Sequence, residues 1–192
     1  MKSYIARLGF GVLFVCVLAG CNQSKKKKDD KSPRRLEILF LGHPNEHHNS
    51  RENAPILASA LSKDGINISY TENLEDLNSY NLSLYDGLII YANYDTISKQ
   101  EEKALLDYVR SGHAFIPIHS ASFCFRNSPD YIDMVGGQFI SHDTATFTAK
   151  IVNKDHPLMK SVKEFSTWDE TYVHDQVSKR LTVLEERIEG DH

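Results

Sequence analysis

Apolar residues fall in short, nearly continuous runs separated by polar segments or by stretches with helical spacing. This alternation predicts strands that return through helices. Leu36, Ile38, Leu39, Phe40 and Leu41 make residues 36–41 almost wholly apolar, as in a parallel strand covered on both faces. Ile56, Leu57, Ala60 and Leu61 recur at helical spacing within 53–64, with Pro55 near the first turn and Gly65 just past the end. Residues 66–71 alternate as a strand, 72–86 form a polar segment, and 87–91 return as a second buried strand. Ser98 and Glu101 form a capping box ahead of Ala104, Leu105, Tyr108 and Val109, and Arg110 and Gly112 close that helix. The strand expected over 114–118 contains Pro117, which has no ladder donor and so marks an edge, a bulge or a strand end.

Strands alternating with helices imply right-handed crossovers and a parallel sheet. The loops leaving the carboxyl ends then share one rim, where sheets of this class form their ligand crevice. Three apolar runs lead to that rim and end on a histidine: 36–41 into His43, 114–118 into His119, and 139–141 into His142. The rim is thereby expected to collect His43, His47, His48, Asn93, His119 and Ser120.

Residues 1–20 stand apart from this pattern. Lys2 and Arg7 precede an apolar stretch over 10–18 that is too short for a stable span, so the segment reads as a secretory leader. Leu18, Ala19, Gly20 and Cys21 resemble the lipobox of bacterial lipoproteins, which implies that Cys21 is diacylated. Residues 21–35, with four consecutive lysines, read as the lipidated cysteine and a solvated tether, and 36–192 as the folded domain. The expectation is a protein held in the bacterial cell envelope by a lipid anchor, facing the periplasm or on the outer membrane. The net charge is −4 and the basic cluster lies in the tether, so no nucleic-acid partner is expected. Of three cysteines, Cys16 belongs to the leader and Cys21 to the anchor, leaving Cys124 without a partner for an internal disulfide.

Further along, Ile118-His119-Ser120-Ala121-Ser122, Gly136-Gly137-Gln138-Phe139 with His142, His156-Pro157, and Asp169-Glu170-Thr171-Tyr172 occur in that order. Together they resemble the ThuA-like, trehalose-utilisation family. The resemblance implies an α/β, flavodoxin-like, mainly parallel sheet with helices on both faces, of the class I glutamine amidotransferase-like superfamily. It also implies a role in the metabolism of trehalose-like disaccharides or keto-sugars. Members of the family continue through another glycine-rich strand and a late Gly-His pair, so the sheet is expected to be C-terminally incomplete.

Two chemistries suit these residues. In one, His119 is a general acid or base oriented by Asp169 or Glu170. In the other, a zinc-like divalent metal is held by His43, His119, His142 and Glu170, although no tight ligand spacing is present. Substrate contacts are expected from His43, His48, Asn93, Ser120, Gln138, Trp168 and Tyr172, with a small-molecule sugar as partner. The Gly136-Gly137 pair lacks a P-loop lysine, so no nucleotide is expected. The Gly-x-Cys-x-Gly elbow of glutamine amidotransferases is missing, which argues against a cysteine-dependent reaction and for a sugar-directed hydrolase, lyase or isomerase. The alternative is a non-catalytic carbohydrate-binding or scaffold lipoprotein, with the same histidines serving as hydrogen-bonded turn residues.

Overall fold

The computed structural model describes residues 33–189, so the expected leader, the lipidated Cys21 and the tether up to residue 32 lie outside the described residues. Arg34 and Arg35, the last residues of that tether, bond to the folded unit. Arg34 pairs with Asp86, and Arg35 donates to the Asn67 side chain and the Ser62 carbonyl, each at 2.8 Å.

The first apolar run forms β1 (Leu36–Gly42), which pairs in parallel with β2 (Ile66–Thr71) on one side and β3 (Gly87–Tyr91) on the other. β4 (Ala114–Pro117) pairs in parallel with β3, giving the order β2-β1-β3-β4. Alternation splits the run between two cores. Leu39 and Leu41 pack with Leu88 and Ile90 on one face, whereas Ile38 and Phe40 join Ile89 on the other. Helix α1 (Ser50–Ser62) brings Ala54 and Leu57 to the second face. Helices α2 (Ser79–Leu82) and α3 (Lys99–Arg110) cover the first with Leu82, Ala104, Leu105 and Tyr108. This is the flavodoxin-like arrangement expected, with helices on both faces. Strand order reverses between β1 and β3, so the crevice opens at their carboxyl ends. Pro117 sits in β4, at the end of the four-strand order.

Three local features differ from the sequence pattern. The segment 72–86 holds a 3-10 turn, Leu74–Asp76, as well as α2, with Leu77 and Leu82 fully buried. Elements this short show no helical period; their signal is the caps, Asn73 and Asn78, each accepting a backbone N–H. Helix α1 begins at Ser50, capped by the Asn49 side chain, so Pro55 lies inside it and not at its first turn. The run 139–141 opens a fourteen-residue antiparallel strand, β5 (Gln138–Ile151), which follows helix α4 (Pro129–Val135). With β6 (Phe165–Asp175) and β7 (Glu185–Ile188) it forms a separate sheet of order β6-β5-β7. Its mixture of threonines and charges looked like no buried strand because most of it is exposed or half-buried. Among the described residues, no helix is long and apolar enough to cross a membrane.

Gly42 ends β1 under close packing: a Cβ there would lie 2.6 Å from both Ser50 Oγ and Tyr70 Oη. Gly42→Ala is expected to destabilise the domain by about 1–3 kcal/mol through overpacking, read from urea denaturation. An unchanged midpoint would show that Tyr70 and Ser50 yield without cost.

Candidate active site

The site starts where β4 leaves the sheet. Ile118 stays extended, its N–H donating to the Ile90 carbonyl at 2.8 Å, and His119 then turns the chain with a φ of 49°. A non-glycine residue in this left-handed region costs roughly 1–2 kcal/mol, and buried neighbours hold it there. Ala121 is fully buried and its carbonyl accepts from Tyr131 Oη at 3.0 Å, while Cys124 Sγ donates to the Ala92 carbonyl at 2.9 Å. Ser122 Oγ donates to the carbonyl of His119 at 3.3 Å, and His174 Nε2 lies 3.1 Å from the same hydroxyl. With the Ser122 proton on that carbonyl, His174 is the donor to Ser122. The strained backbone is thus tied to β6 from behind, and the imidazole is left to project at the rim.

The second wall comes from the antiparallel sheet. Glu170, Tyr172 and His174 alternate along β6 and share a face. On β5 the register shifts between Phe139 and Ser141, a bulge at Ile140 that puts Phe139 and His142 on that same face. Without the extra residue, alternation would send the two to opposite sides. His119 Nε2 lies 3.0 Å from Tyr172 Oη, with the two rings stacked 4.8 Å apart. One Glu170 oxygen, Oε2, is 3.4 Å from His119 Nε2, and the other, Oε1, is 3.6 Å from His142 Nε2. The carboxylate therefore bridges two imidazoles that are far apart in sequence.

The loop after β1 supplies the third wall. Asn45 Oδ1 accepts the backbone N–H groups of His47 and His48, each at 2.9 Å, and Asn45 Nδ2 donates to Asn93 Oδ1 at 3.0 Å. This Asx turn sets His48 edge-on against His119, with centroids 4.7 Å apart, and both rings neighbour Tyr91 at 6.1 Å. The three walls enclose a hollow of about 340 Å³ with Ser120, Phe123 and Phe139 in its lining.

Burial holds the pKa of His119 below the ordinary imidazole value, and the charges of Glu170 and Asp169 offset this only in part. His48 is lowered by burial and then by nearby His119. Tyr172 is pushed up, first by burial and then by Glu170, so its phenol keeps its proton at neutral pH. Several buried polar atoms here lack an internal hydrogen-bond partner: Ser120 Oγ, His48 Nδ1 and Glu170 Oε2, the last close to His119 but not aligned with it. Unpartnered buried groups are costly, and a ligand bearing hydroxyls would satisfy them.

Of the residues singled out in the sequence, His48, Asn93, Ser120, His142, Glu170 and Tyr172 line this hollow, and His119 bonds into it. His43 does not. Its ring stacks on Tyr94, 4.1 Å away and 5° from parallel, and it lines a neighbouring hollow. The four donors expected for a metal are therefore not gathered. Among the described residues, no group of three or more His, Cys, Asp or Glu side chains is arranged to hold a metal ion. Trp168, one alternation beyond Glu170, is 68% exposed and lies outside the lining. Asp169 faces away by strand alternation; its Oδ1 accepts the Glu170 N–H at 2.8 Å, and it reaches His119 only through its charge. Gln138 is buried at the start of β5, outside the lining. Sequence reasoning missed Asn45, Tyr91 and His174. The period-two series Glu170, Tyr172, His174 was the available signal for the last.

His48, His119 and His174 all have folded-state values below the ordinary 6.5. The unfolded chain then binds more protons between the two values, so stability rises with pH through that window and is lost as pH falls below 6.5. Urea midpoints are expected to fall between about pH 8 and about pH 5, and less steeply in His119→Gln. An identical slope in the variant would contradict a partly desolvated, neutral His119.

The ThuA family model, described as trehalose utilisation, matches residues 37–189. Among solved structures, a protein described as ThuA-like from Bacteroides uniformis ATCC 8492 superposes with a TM-score of 0.68 at 20% identity, covering 79% of this chain and 67% of its own. Another from Parabacteroides merdae ATCC 43184 gives 0.58 at 16% identity, covering 72% of this chain and 63% of its own. This chain therefore spans about two thirds of each relative's length. Among curated proteins none matches. The matched span runs from the second residue of β1 through β7, and the chain belongs to the ThuA, trehalose-utilisation family.

Proposed function

We propose that this protein is a lipid-anchored enzyme of the cell envelope that acts on a trehalose-like disaccharide or its keto-sugar derivative by acid/base chemistry centred on His119. The observation that carries the reading is the placement of His119 Nε2 between Tyr172 Oη and Glu170 Oε2 on the carboxyl-end rim of the parallel sheet, beside a hollow with unpartnered polar atoms. Family membership supports a carbohydrate substrate. A neutral imidazole is ready to accept a proton from a sugar hydroxyl or from a carbon beside a carbonyl. Glu170 then balances the imidazolium charge, with His142 fixing the other carboxylate oxygen. Tyr172, held protonated, donates to the oxygen on which charge develops. His48, Asn93 and Ser120 offer the polar contacts that orient the sugar.

Cys124 takes no part. Burial pushes its thiol up to about 12, and its Sγ–H is committed to the Ala92 carbonyl. The lipobox-like Leu18-Ala19-Gly20-Cys21 after an apolar stretch supports the anchor and the envelope location.

Turnover of trehalose and its keto derivative by the full-length protein tests the reaction. His119→Ala and Glu170→Gln are expected to lower kcat by roughly 10²–10⁴-fold, and Cys124→Ala to leave it unchanged. Sugar binding by the wild type without turnover would instead support a carbohydrate-binding lipoprotein. For the anchor, Cys21→Ser is expected to move the protein from the membrane fraction to the soluble fraction; retention in the membrane would contradict lipidation.

A further inference from the structure

The hollow that takes His43 is larger than the one around His119, about 670 Å³, and lies against the other side of the same loop. Asn45 links the two. Asn45 lines this hollow, while its amide bonds Asn93 and its carbonyl oxygen holds His47 and His48, all three of which line the hollow beside His119. Asn93 and Tyr94, consecutive in the chain, likewise face one hollow each.

The chemistry of this second hollow is that of a neutral, hydroxyl-rich ligand. Its flat apolar element is the stacked pair His43 and Tyr94, and Tyr94 is fixed by donating to the Glu72 carbonyl at 2.6 Å. Its polar elements are planar: Asn45, Asn49 and the Arg51–Glu72 pair, joined through two contacts of 2.8 and 2.6 Å. That pair is internally neutral and Glu52 adds a negative charge, so the hollow offers no net attraction to a phosphate or a sugar acid. His43 Nδ1 is buried without a partner. Aromatic plates beside fork-shaped polar groups match a pyranose ring with vicinal hydroxyls.

We infer that the His43–Tyr94 hollow binds the second ring of a disaccharide whose first ring lies beside His119, with Asn45 at the junction. The inference rests on the proposed carbohydrate function and adds to it the place of the disaccharide's second ring.

Calorimetric titration of the full-length protein with trehalose and with glucose tests it. Wild type is expected to bind trehalose at least roughly tenfold more tightly than glucose, the size of about one hydrogen bond to a charged group. Arg51→Ala, an exposed change that frees only Glu72, and His43→Ala, which removes the aromatic plate, are each expected to shrink that preference towards unity while glucose affinity holds. Equal affinity for the two sugars in wild type, or a preference untouched by both variants, overturns the inference alone. Binding of neither sugar overturns it together with the reading on which it rests.

Discussion

The arrangement depends on the meeting of His119 with Tyr172 and Glu170. His119 is delivered by the last described strand of the parallel sheet, and its partners by β6, an edge strand of the antiparallel one. Neither sheet holds a site alone. A left-handed residue at the end of β4 is a strained turn, and a carboxylate on an exposed strand is a solvated charge; together they become a hydrogen-bonded imidazole at the mouth of a crevice. The roughly 1–2 kcal/mol of backbone strain is held by packing behind it, where Ala121, Cys124 and Tyr131 are buried and Ser122 grips the His119 carbonyl.

Charge is distributed to suit a neutral ligand. Two imidazoles, His119 and His142, meet one carboxylate, and desolvation keeps His119 and His48 on the uncharged side of their titration. The hollow therefore offers both donors and acceptors without a strong field of either sign. Asn45 adds rigidity to the loop, since two backbone N–H groups and the side-chain oxygen of Asn93 are satisfied by its one amide. The same residue lines one hollow and bonds three residues that line the other, so a single loop shapes both.

Much of the parallel half was legible in the sequence. Both-face burial made 36–41 and 87–91 continuous apolar runs, and the Ser98–Glu101 capping box announced α3. The rim histidine after β4 followed from topology alone. What could not be read was set by contacts between distant segments. His43 and His48 occupy the same loop, and only the Asx turn of Asn45 with the stacking on Tyr94 sends one to each side. His142 reaches the site because of a bulge at Ile140, in a strand that looked like the end of a buried run and is half solvent-exposed. Trp168 resembled a sugar platform by proximity to Glu170, yet strand length carries it past the hollow.

The central claim, that His119 is a partly desolvated neutral imidazole governed by the carboxylate of Glu170, is tested most directly by following its ring nitrogens by NMR as pH is varied in the full-length protein. The account predicts a midpoint below the ordinary 6.5, lowered further in Glu170→Gln because that carboxylate is the largest influence raising it. A midpoint at 6.5 that does not respond to Glu170→Gln would contradict it.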